Sequence, residues 1–557
     1  MQGEWHSLFS HLEATAQRSS EFARPFDGET EAFFIGLFHD LGKANPDFQS
    51  YLKAQEEKER YPIVPHALVG AALIRCRLRK NYEELVIPIA GHHAGLYEPG
   101  DLDSRLKAEW DKCSPDLRVF LQQVAQKLAE THNPKIPSPR DESIFRREFR
   151  IRMLSSCLVD ADYLDTENHF DPQKAKLRKI QVSLPDLWER FAKDQKTLME
   201  KVEPTTVNDV RKEVYEACLR AAEGPQGIYK LTVPTGGGKT RSGLAFALKH
   251  ALKHGLRRII VAIPYTNIIG QTVQVYREVL GKGAVIEHHS QVSFPDDESQ
   301  NLFKLASENW DVPLVVTTTV QLFESLFSNK PSKCRKLHNI AKSVIILDEV
   351  QTLPPELLEP TADVLRTLVE EYGVTLVLST ATQPALENSS YLKAFKGVSP
   401  KEIVPQYEKY FQRLRRVEYE RRKDPITFQT LAEKVAQEDQ VLVVMNSRKD
   451  AMQLIAYLKD TPHLFHLSTL LCGAHRKEVL EEVNERLETR KPVRLISTQV
   501  VEAGVDLDFP AVYRTVGPLD RIVQAAGRCN RNGVKTGKVV ISNLRVEKHQ
   551  ADLTRQE

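Results

Sequence analysis

Up to about Asp165 the apolar residues recur at helical spacing, as in Phe33, Phe34, Leu37 and Phe38 and again in Met153, Leu154, Cys157 and Leu158. That period predicts an all-α region. Between Asp171 and Thr206 the chain turns polar, with Pro172, Pro185 and Pro204 around one amphipathic stretch at Leu187, Trp188 and Phe191, which reads as a helical linker. From Ile228 short apolar runs alternate with helical stretches: IIVAI at 259–263, PLVVTT at 313–318, SVIIL at 343–347 and VTLVLS at 374–379. Strands buried on both faces of a parallel sheet have this texture, and the alternation predicts βαβ units. An Arg-rich segment from Tyr407 to Asp424 separates them from a second set, VLVVM at 441–445, VRLIS at 493–497, AVYRTV at 511–516 and KVVIS at 538–542. The expected fold class is multidomain: an all-α domain at 1–170, a helical linker at 171–204, and two α/β domains with parallel sheets at 205–405 and 406–557.

Composition changes this picture little. A chain of 557 residues exceeds one core, and 41% hydrophobic with 27% charged residues is the balance of an ordinary globular protein. The 77 basic and 75 acidic residues nearly cancel, to +2, so a polyanion would be held by local basic surfaces and not by a global field. The 7 cysteines are scattered and never spaced as CxxC, which fits a reducing cytosol. No export signal or membrane-length apolar run is read, so the expectation is a cytoplasmic protein with no membrane partner.

The chemistry begins at LTVPTGGGKT, 231–240, a glycine-rich turn between a predicted strand and a helix. Backbone N–H groups of Gly236, Gly237 and Gly238 can wrap a phosphate chain, with Lys239 reaching the β and γ phosphates of ATP and Thr240 binding Mg2+. The P-loop pattern asks for glycine where this chain has Val233. In VIILDEVQ, 344–351, paired carboxylates end an apolar strand: Asp348 is suited to hold Mg2+ and Glu349 to orient or deprotonate the attacking water. STAT at 379–382 can relay hydrogen bonds onward from that site, or cap a helix. Within QAAGRCNRNG, 524–533, Gln524, Arg528 and Arg531 fall at helical spacing, a face that can meet the γ phosphate across an interdomain cleft.

This ordered series resembles the superfamily-two helicases over roughly Gln226 to Leu544, joined by IPYTNIIGQT at 263–272, TTTVQLFESLF at 317–327, NSRKDA at 446–451 and STQVVEAGVDLDF at 497–509. Members of that superfamily commonly lack the glycine replaced by Val233. The resemblance implies two RecA-like domains, with Thr266, Asn267, Thr318, Thr319 and Gln321 lining a nucleic-acid track in the first and Thr498 and Gln499 in the second. Such a track holds phosphate and sugar without reading base sequence.

The helical region offers His11, the His39–Asp40 doublet in HDLGKANPDFQ, His66, the His92–His93 pair and Asp162. Mixed imidazole and carboxylate ligands suit Fe, Mn, Co, Ni or Zn, and spacings this long suit ligands gathered from successive helices of a bundle. Their order resembles the HD phosphohydrolase superfamily. That resemblance implies that His39, Asp40 and Asp162 bind one metal, that His66, His92 and His93 complete a second site, and that Asp40 bridges. Asp160 competes with Asp162 as the last ligand, and His11 is an additional upstream ligand. Lys43 either stabilises charge developing on a phosphodiester or is a solvated helix-end lysine.

An HD domain ahead of a PTGGGKT helicase, with DEVQTLPPELL, resembles the nuclease-helicase effectors of type I CRISPR systems over nearly the whole chain. The resemblance implies recruitment to a Cascade-type guide RNA complex at R-loop DNA, nicking of the displaced strand, and 3′ to 5′ translocation on single-stranded DNA with degradation. It also implies an accessory C-terminal domain, whereas this chain is expected to be truncated or a short form, ending soon after QAAGRCNRNG. Two other readings are an RNA helicase fused to an HD nucleotide phosphohydrolase, and a translocase whose HD domain is a structural metal module.

Overall fold

The computed structural model describes residues 5–57, 61, 62, 64–78, 82–138, 140, 142–178, 182–290, 292, 298–381, 398–502, 507–531 and 536–545. The helical periodicity of the first third produces α1 (Leu8–Ala23), α2 (Glu29–Phe38), α3 (Pro46–Glu56), α4 (Ala67–Arg77), α5 (Glu83–Gly91), α6 (Pro99–Lys112), α7 (Pro115–His132) and α8 (Ile144–Phe170). At 27 residues, α8 is the spine of this bundle, burying Met153, Leu154, Cys157 and Leu158 against α1, α2 and α5. The polar stretch that follows forms α9 (Pro172–Leu177), α10 (Leu184–Lys201) and α11 (Thr206–Ala221). A reciprocal capping box between Ser183 and Asp186 fixes the start of α10, whose apolar residues Leu184, Leu187 and Phe191 are buried.

The first α/β lobe runs β1 (Ile228–Thr232), α12 (Lys239–His254), β2 (Arg258–Ile263), α13 (Thr266–Leu280), β3 (Ile286–His288), α14 (Glu298–Asn309), β4 (Leu314–Thr318), α15 (Thr319–Phe327), α16 (Pro331–Cys334), β5 (Ser343–Asp348), α17 (Leu358–Glu371), β6 (Thr375–Thr380) and β7 (Lys401–Glu402). Its sheet has the order β3-β4-β2-β5-β6-β1-β7, with every pairing parallel. α10 and α11 pack on α12, and α10 also on α13. Register places Thr232 beside Thr380 and Asp348 beside Ser379, so the polar strand ends form one rim. In open parallel sheets ligands bind at that rim.

The second lobe runs α18 (Glu408–Arg413), β8 (Val417–Arg421), α19 (Phe428–Gln437), β9 (Gln440–Val444), α20 (Arg448–Tyr457), β10 (Leu464–Leu467), α21 (Gly473–Glu488), β11 (Val493–Ser497), β12 (Ala511–Thr515), α22 (Leu519–Ala526) and β13 (Gly537–Ser542). The sheet order is β10-β11-β9-β12-β13-β8. The Arg-rich segment expected to separate the lobes therefore folds into α18 and the edge strand β8. VEYER is half exposed and pairs only through β13 among the described residues, so no apolar run announces it. Among the described residues, no helix is long and apolar enough to cross a membrane.

Candidate active sites

Two sites lie in this frame. The first gathers at the core end of α2. His39 caps that helix, Asp40 follows it, His66 precedes α4, His92 and His93 follow α5, and His11 and Asp162 come from α1 and α8. Gly42 makes the approach possible: a Cβ there would stand 2.0 Å from the carbonyl oxygen of His66. Asp40, fully buried, divides its two oxygens between two ligand sets. Oδ2 faces His11 Nε2 at 3.5 Å and His39 Nε2 at 3.4 Å, and Asp162 Oδ1 lies 3.3 Å from the same His11 nitrogen. Oδ1 faces His66 Nε2 and His92 Nε2, each at 3.3 Å. The His93 ring packs against His92, centroids 4.0 Å apart.

The imidazoles are aimed. His39 Nδ1 bonds the Gly36 carbonyl at 2.8 Å and His92 Nδ1 the Ile89 carbonyl at 2.7 Å. With Nδ1 donating outward, Nε2 presents its lone pair to the centre. The Nε2 atoms of His11, His39, His66 and His92 and Oδ1 of Asp40 are buried without a hydrogen-bond partner, although buried polar atoms are normally satisfied. These atoms fall into groups that could each hold a metal ion, among them His11, His39, Asp40 and Asp162, and Asp40, His66, His92 and His93. Burial works against a charge on His11, but Asp162, Asp165 and Asp40 outweigh it and raise its pKa to about 11. Burial, then the neighbouring His92, lowers His93 to about 3. Burial also opposes ionisation of Asp40, yet the surrounding His39, His11 and His66 hold it well below the usual carboxylate range.

Lys43, on the 3-10 turn after Asp40, is partly exposed, and its ammonium is paired with Asp40 Oδ2. Asp160 turns the other way on α8, to Arg335 Nε at 2.6 Å, and takes no place in the cluster.

The second site lies at the rim of the first sheet. Gly236 and Gly238 adopt φ of 82° and 87°, the left-handed conformations that turn successive N–H groups inward, and α12 starts at Lys239. Lys239 Nζ lies 3.1 Å from Asp348 Oδ1 and 2.6 Å from Glu349 Oε1. Burial opposes the lysine's charge, but Asp348 and Glu349 raise its pKa above the ordinary value. Ser379 Oγ donates to Asp348 Oδ1 at 2.9 Å. Gln351 Nε2 donates to Glu349 Oε2 at 2.6 Å, and Gln351 Oε1 accepts from Thr380 Oγ1 at 2.6 Å. The strand ends of β5 and β6 are thereby wired together; Thr382 lies outside the described residues.

A cavity of about 1010 Å³ opens here, lined by Gly236, Gly238, Lys239, Thr240, Asp348 and Glu349 from one lobe and by Gln524, Arg528 and Arg531 from the other. The helix face expected for the last three is corrected by the structure. α22 ends at Ala526 with Gly527 as its cap, and residues 528–530 instead pair with Phe509, ahead of β12. Arg528 is buried and donates to the carbonyls of Val501 and Glu502 at 3.0 and 2.8 Å. Convergence comes from the turn, not from a helix.

The nucleic-acid candidates sit at strand ends. Thr318 caps α15, its hydroxyl accepting from Gln321 N at 2.9 Å, and Thr319 is buried. Thr498 follows β11 and is buried, while Gln499 Nε2 bonds the Asn446 carbonyl at 2.9 Å. Thr266 and Asn267 open α13; their side chains lie outside the described residues.

Three family models match in order: the Cas3 HD domain over residues 1–163, the DEAD/DEAH box helicase over 209–389, and the C-terminal region of the CRISPR-associated nuclease/helicase Cas3 over 437–534. The chain belongs to the Cas3 family. It is accordingly an enzyme, an ATP-dependent helicase joined to an HD nuclease that uses a divalent metal. The Cas3 of Haloferax volcanii is 26% identical over 94% of this chain and 74% of its own length. That of Streptococcus thermophilus is 22% identical over 91% of this chain and 65% of its own. The structure of T. fusca Cas3 with AMPPNP shares the fold at TM-score 0.69 and 16% identity, covering 98% of this chain and 74% of that one. Against this Cas3 frame, sequence reasoning missed Asp165, whose Oδ2 lies 2.7 Å from His11 Nδ1 and orients that ring. The available signal was its position one helical turn after Asp162. His6, 3.6 Å from the same carboxylate, carried no signal.

Proposed function

We propose that the chain is a CRISPR interference effector that moves 3′ to 5′ along single-stranded DNA and cuts target DNA, as endonuclease and then exonuclease, at its HD centre. The observation that carries the reading is Asp40, standing between two ligand sets in the same chain as a complete nucleotide cleft. His11, His39, Asp40 and Asp162 would hold one cation, drawn from Fe, Mn, Co, Ni or Zn, and Asp40, His66, His92 and His93 the other. Cations held there would supply Lewis acidity toward a phosphodiester and toward water. Lys43, already at the edge of the cluster, provides positive charge for the phosphate. In the cleft, Gly236–Thr240 bind the phosphates of ATP with Mg2+ near Thr240 and Asp348, Glu349 orients water, and Gln524, Arg528 and Arg531 approach from the second lobe. Thr318, Thr319, Gln321, Thr498 and Gln499, with Thr266 and Asn267, form the strand track at the rims of both sheets.

A structure entitled "CRISPR RNA-guided surveillance complex, pre-nicking" shares this fold at TM-score 0.62. We infer that a guide RNA complex of that kind delivers R-loop DNA to this chain in the cytoplasm. The test is cleavage of circular single-stranded DNA across divalent metals, with and without ATP, by wild type, Asp40→Ala and Lys239→Ala. Metal-selective cutting should vanish only in D40A, and ATPase only in K239A. Streptavidin displacement from 5′-biotinylated but not 3′-biotinylated strands reports the direction. ATPase preferring RNA, combined with dNTP hydrolysis, would overturn the DNA assignment, and cutting that survives D40A would leave the HD module structural.

A further inference from the structure

The nuclease ligands are not all positioned from within their own bundle. α8 presents Asp162 and Asp165 toward the metal cluster, while Arg152, Ser156, Asp160 and Tyr163, spaced by four, four and three residues, form its opposite stripe. Every one of these meets a single stretch of the first motor lobe, residues Ser328 to Ile340, between α15 and β5. Arg152 donates to the Ser328 carbonyl. Ser156 Oγ accepts from His338 N at 3.0 Å and lies 2.9 Å from His338 Nδ1. Asp160, with 1% of its side chain exposed, is paired with Arg335 at 2.6 Å, and the Arg335 guanidinium covers the Tyr163 ring at 4.8 Å. Arg335 is itself braced by Glu308 at 2.9 Å, and Glu308 by Arg178 at 2.5 Å.

The same stretch reaches the other side of the cluster. Leu96 N donates to the Asn329 carbonyl at 2.9 Å, closing the loop that carries His92 and His93. Gly95 has φ +105°, and a Cβ there would stand 2.8 Å from the Asn329 oxygen, so only glycine allows the loop to lie this close.

We propose that Ser328–Ile340 is a clamp through which the motor lobe positions the nuclease metal ligands, with Arg335 and Asn329 as its two points of hold, neither touching metal or substrate. One end of the clamp follows α15 and the other leads into β5, which ends on Asp348. Displacement of either motor element therefore bears on α8 and on the His92–His93 loop together.

The inference rests on the two-cation reading of the HD cluster, and the test separates them. Full-length wild type, Arg335→Gln, Gly95→Ala and Asp40→Ala are compared in ATP-independent cleavage of circular single-stranded DNA against Mn2+ concentration, in Mn2+ titration calorimetry, and in DNA-stimulated ATPase. Both clamp variants should need about tenfold more Mn2+ for half-maximal cleavage and bind it correspondingly more weakly, with ATPase kept within about twofold of wild type. G95A leaves no buried charge unpaired, so it decides the matter if R335Q does not fold. Wild-type Mn2+ dependence in G95A or in folded R335Q, with D40A inactive, overturns the clamp. Cleavage by D40A equal to wild type overturns the metal reading instead.

Discussion

At the scale of residues, the cluster is defined by atoms that have nowhere else to go, and small changes around it should be felt there first. In Gly42→Ala the new Cβ meets the His66 carbonyl at 2.0 Å, so either His66 or the Asp40 turn must shift. We expect nuclease activity to fall by about 10- to 100-fold, the cost typical of disturbing the groups that orient metal ligands, with DNA-stimulated ATPase unchanged; parallel assays of the two activities check it. His338 gives a pH signature. Burial, and then the positive charge of Arg258, lowers its pKa to about 3, with Asp160, Asp311 and Arg335 also facing the ring. The unfolded chain binds this proton below about 6.5 and the folded chain does not until near 3, so stability falls with pH across that window, by at most about 1.4 kcal/mol per pH unit. Urea unfolding of wild type and His338→Gln between pH 7 and 5 should show a shallower pH dependence in the variant. The seven ligand candidates were legible because each residue type is rare in an apolar helix and their order was informative. Asp165 and the division between Asp160 and Asp162 were not, because which side of α8 a carboxylate faces depends on the lobe packed against it.

Elements explain where reading stopped. Strands β2, β4, β5, β6, β9, β11, β12 and β13 are buried runs and were visible from hydropathy alone. β8 was hidden because an edge strand need not be apolar, and the end of α22 because helical spacing continues past Gly527 although the chain turns there. The prediction at this scale concerns the junction of β1 with α12. Lys239 is the counter-ion of both Asp348 and Glu349, so Lys239→Ala removes the cation proposed to hold phosphate and leaves two neighbouring carboxylates without it. ATPase turnover should drop by at least about 100-fold, measured by phosphate release with single-stranded DNA present. Metal-dependent cutting without ATP should persist, since nothing in the HD cluster touches this junction.

In the whole molecule nuclease and motor share a buried core across their boundary. Tyr372, at the end of α17, has its ring 5.2 Å from Phe26 and 5.3 Å from Phe149, and one continuous buried cluster runs from Leu12 and Met153 in the bundle to Trp310, Ile345 and Leu376 in the first lobe. Arg146 of α8 pairs with Glu370 and Glu371 across the same seam. The second lobe has separate cores around Leu442 and Phe428. Burial shared in this way makes two regions unfold together, because exposing one strips the apolar surface of the other. We therefore expect urea to abolish ATP-independent nuclease activity and the fluorescence of Trp310, buried in the shared core, at one midpoint, while ATPase, which needs both lobes, is lost at that midpoint or earlier. Truncating Tyr372 to alanine should lower the common midpoint, by about 3–5 kcal/mol of stability, and keep the two signals coincident. A nuclease that melts well before the first lobe would show that the two halves are joined as separable bodies, and the register between motor and metal ligands would then need another source.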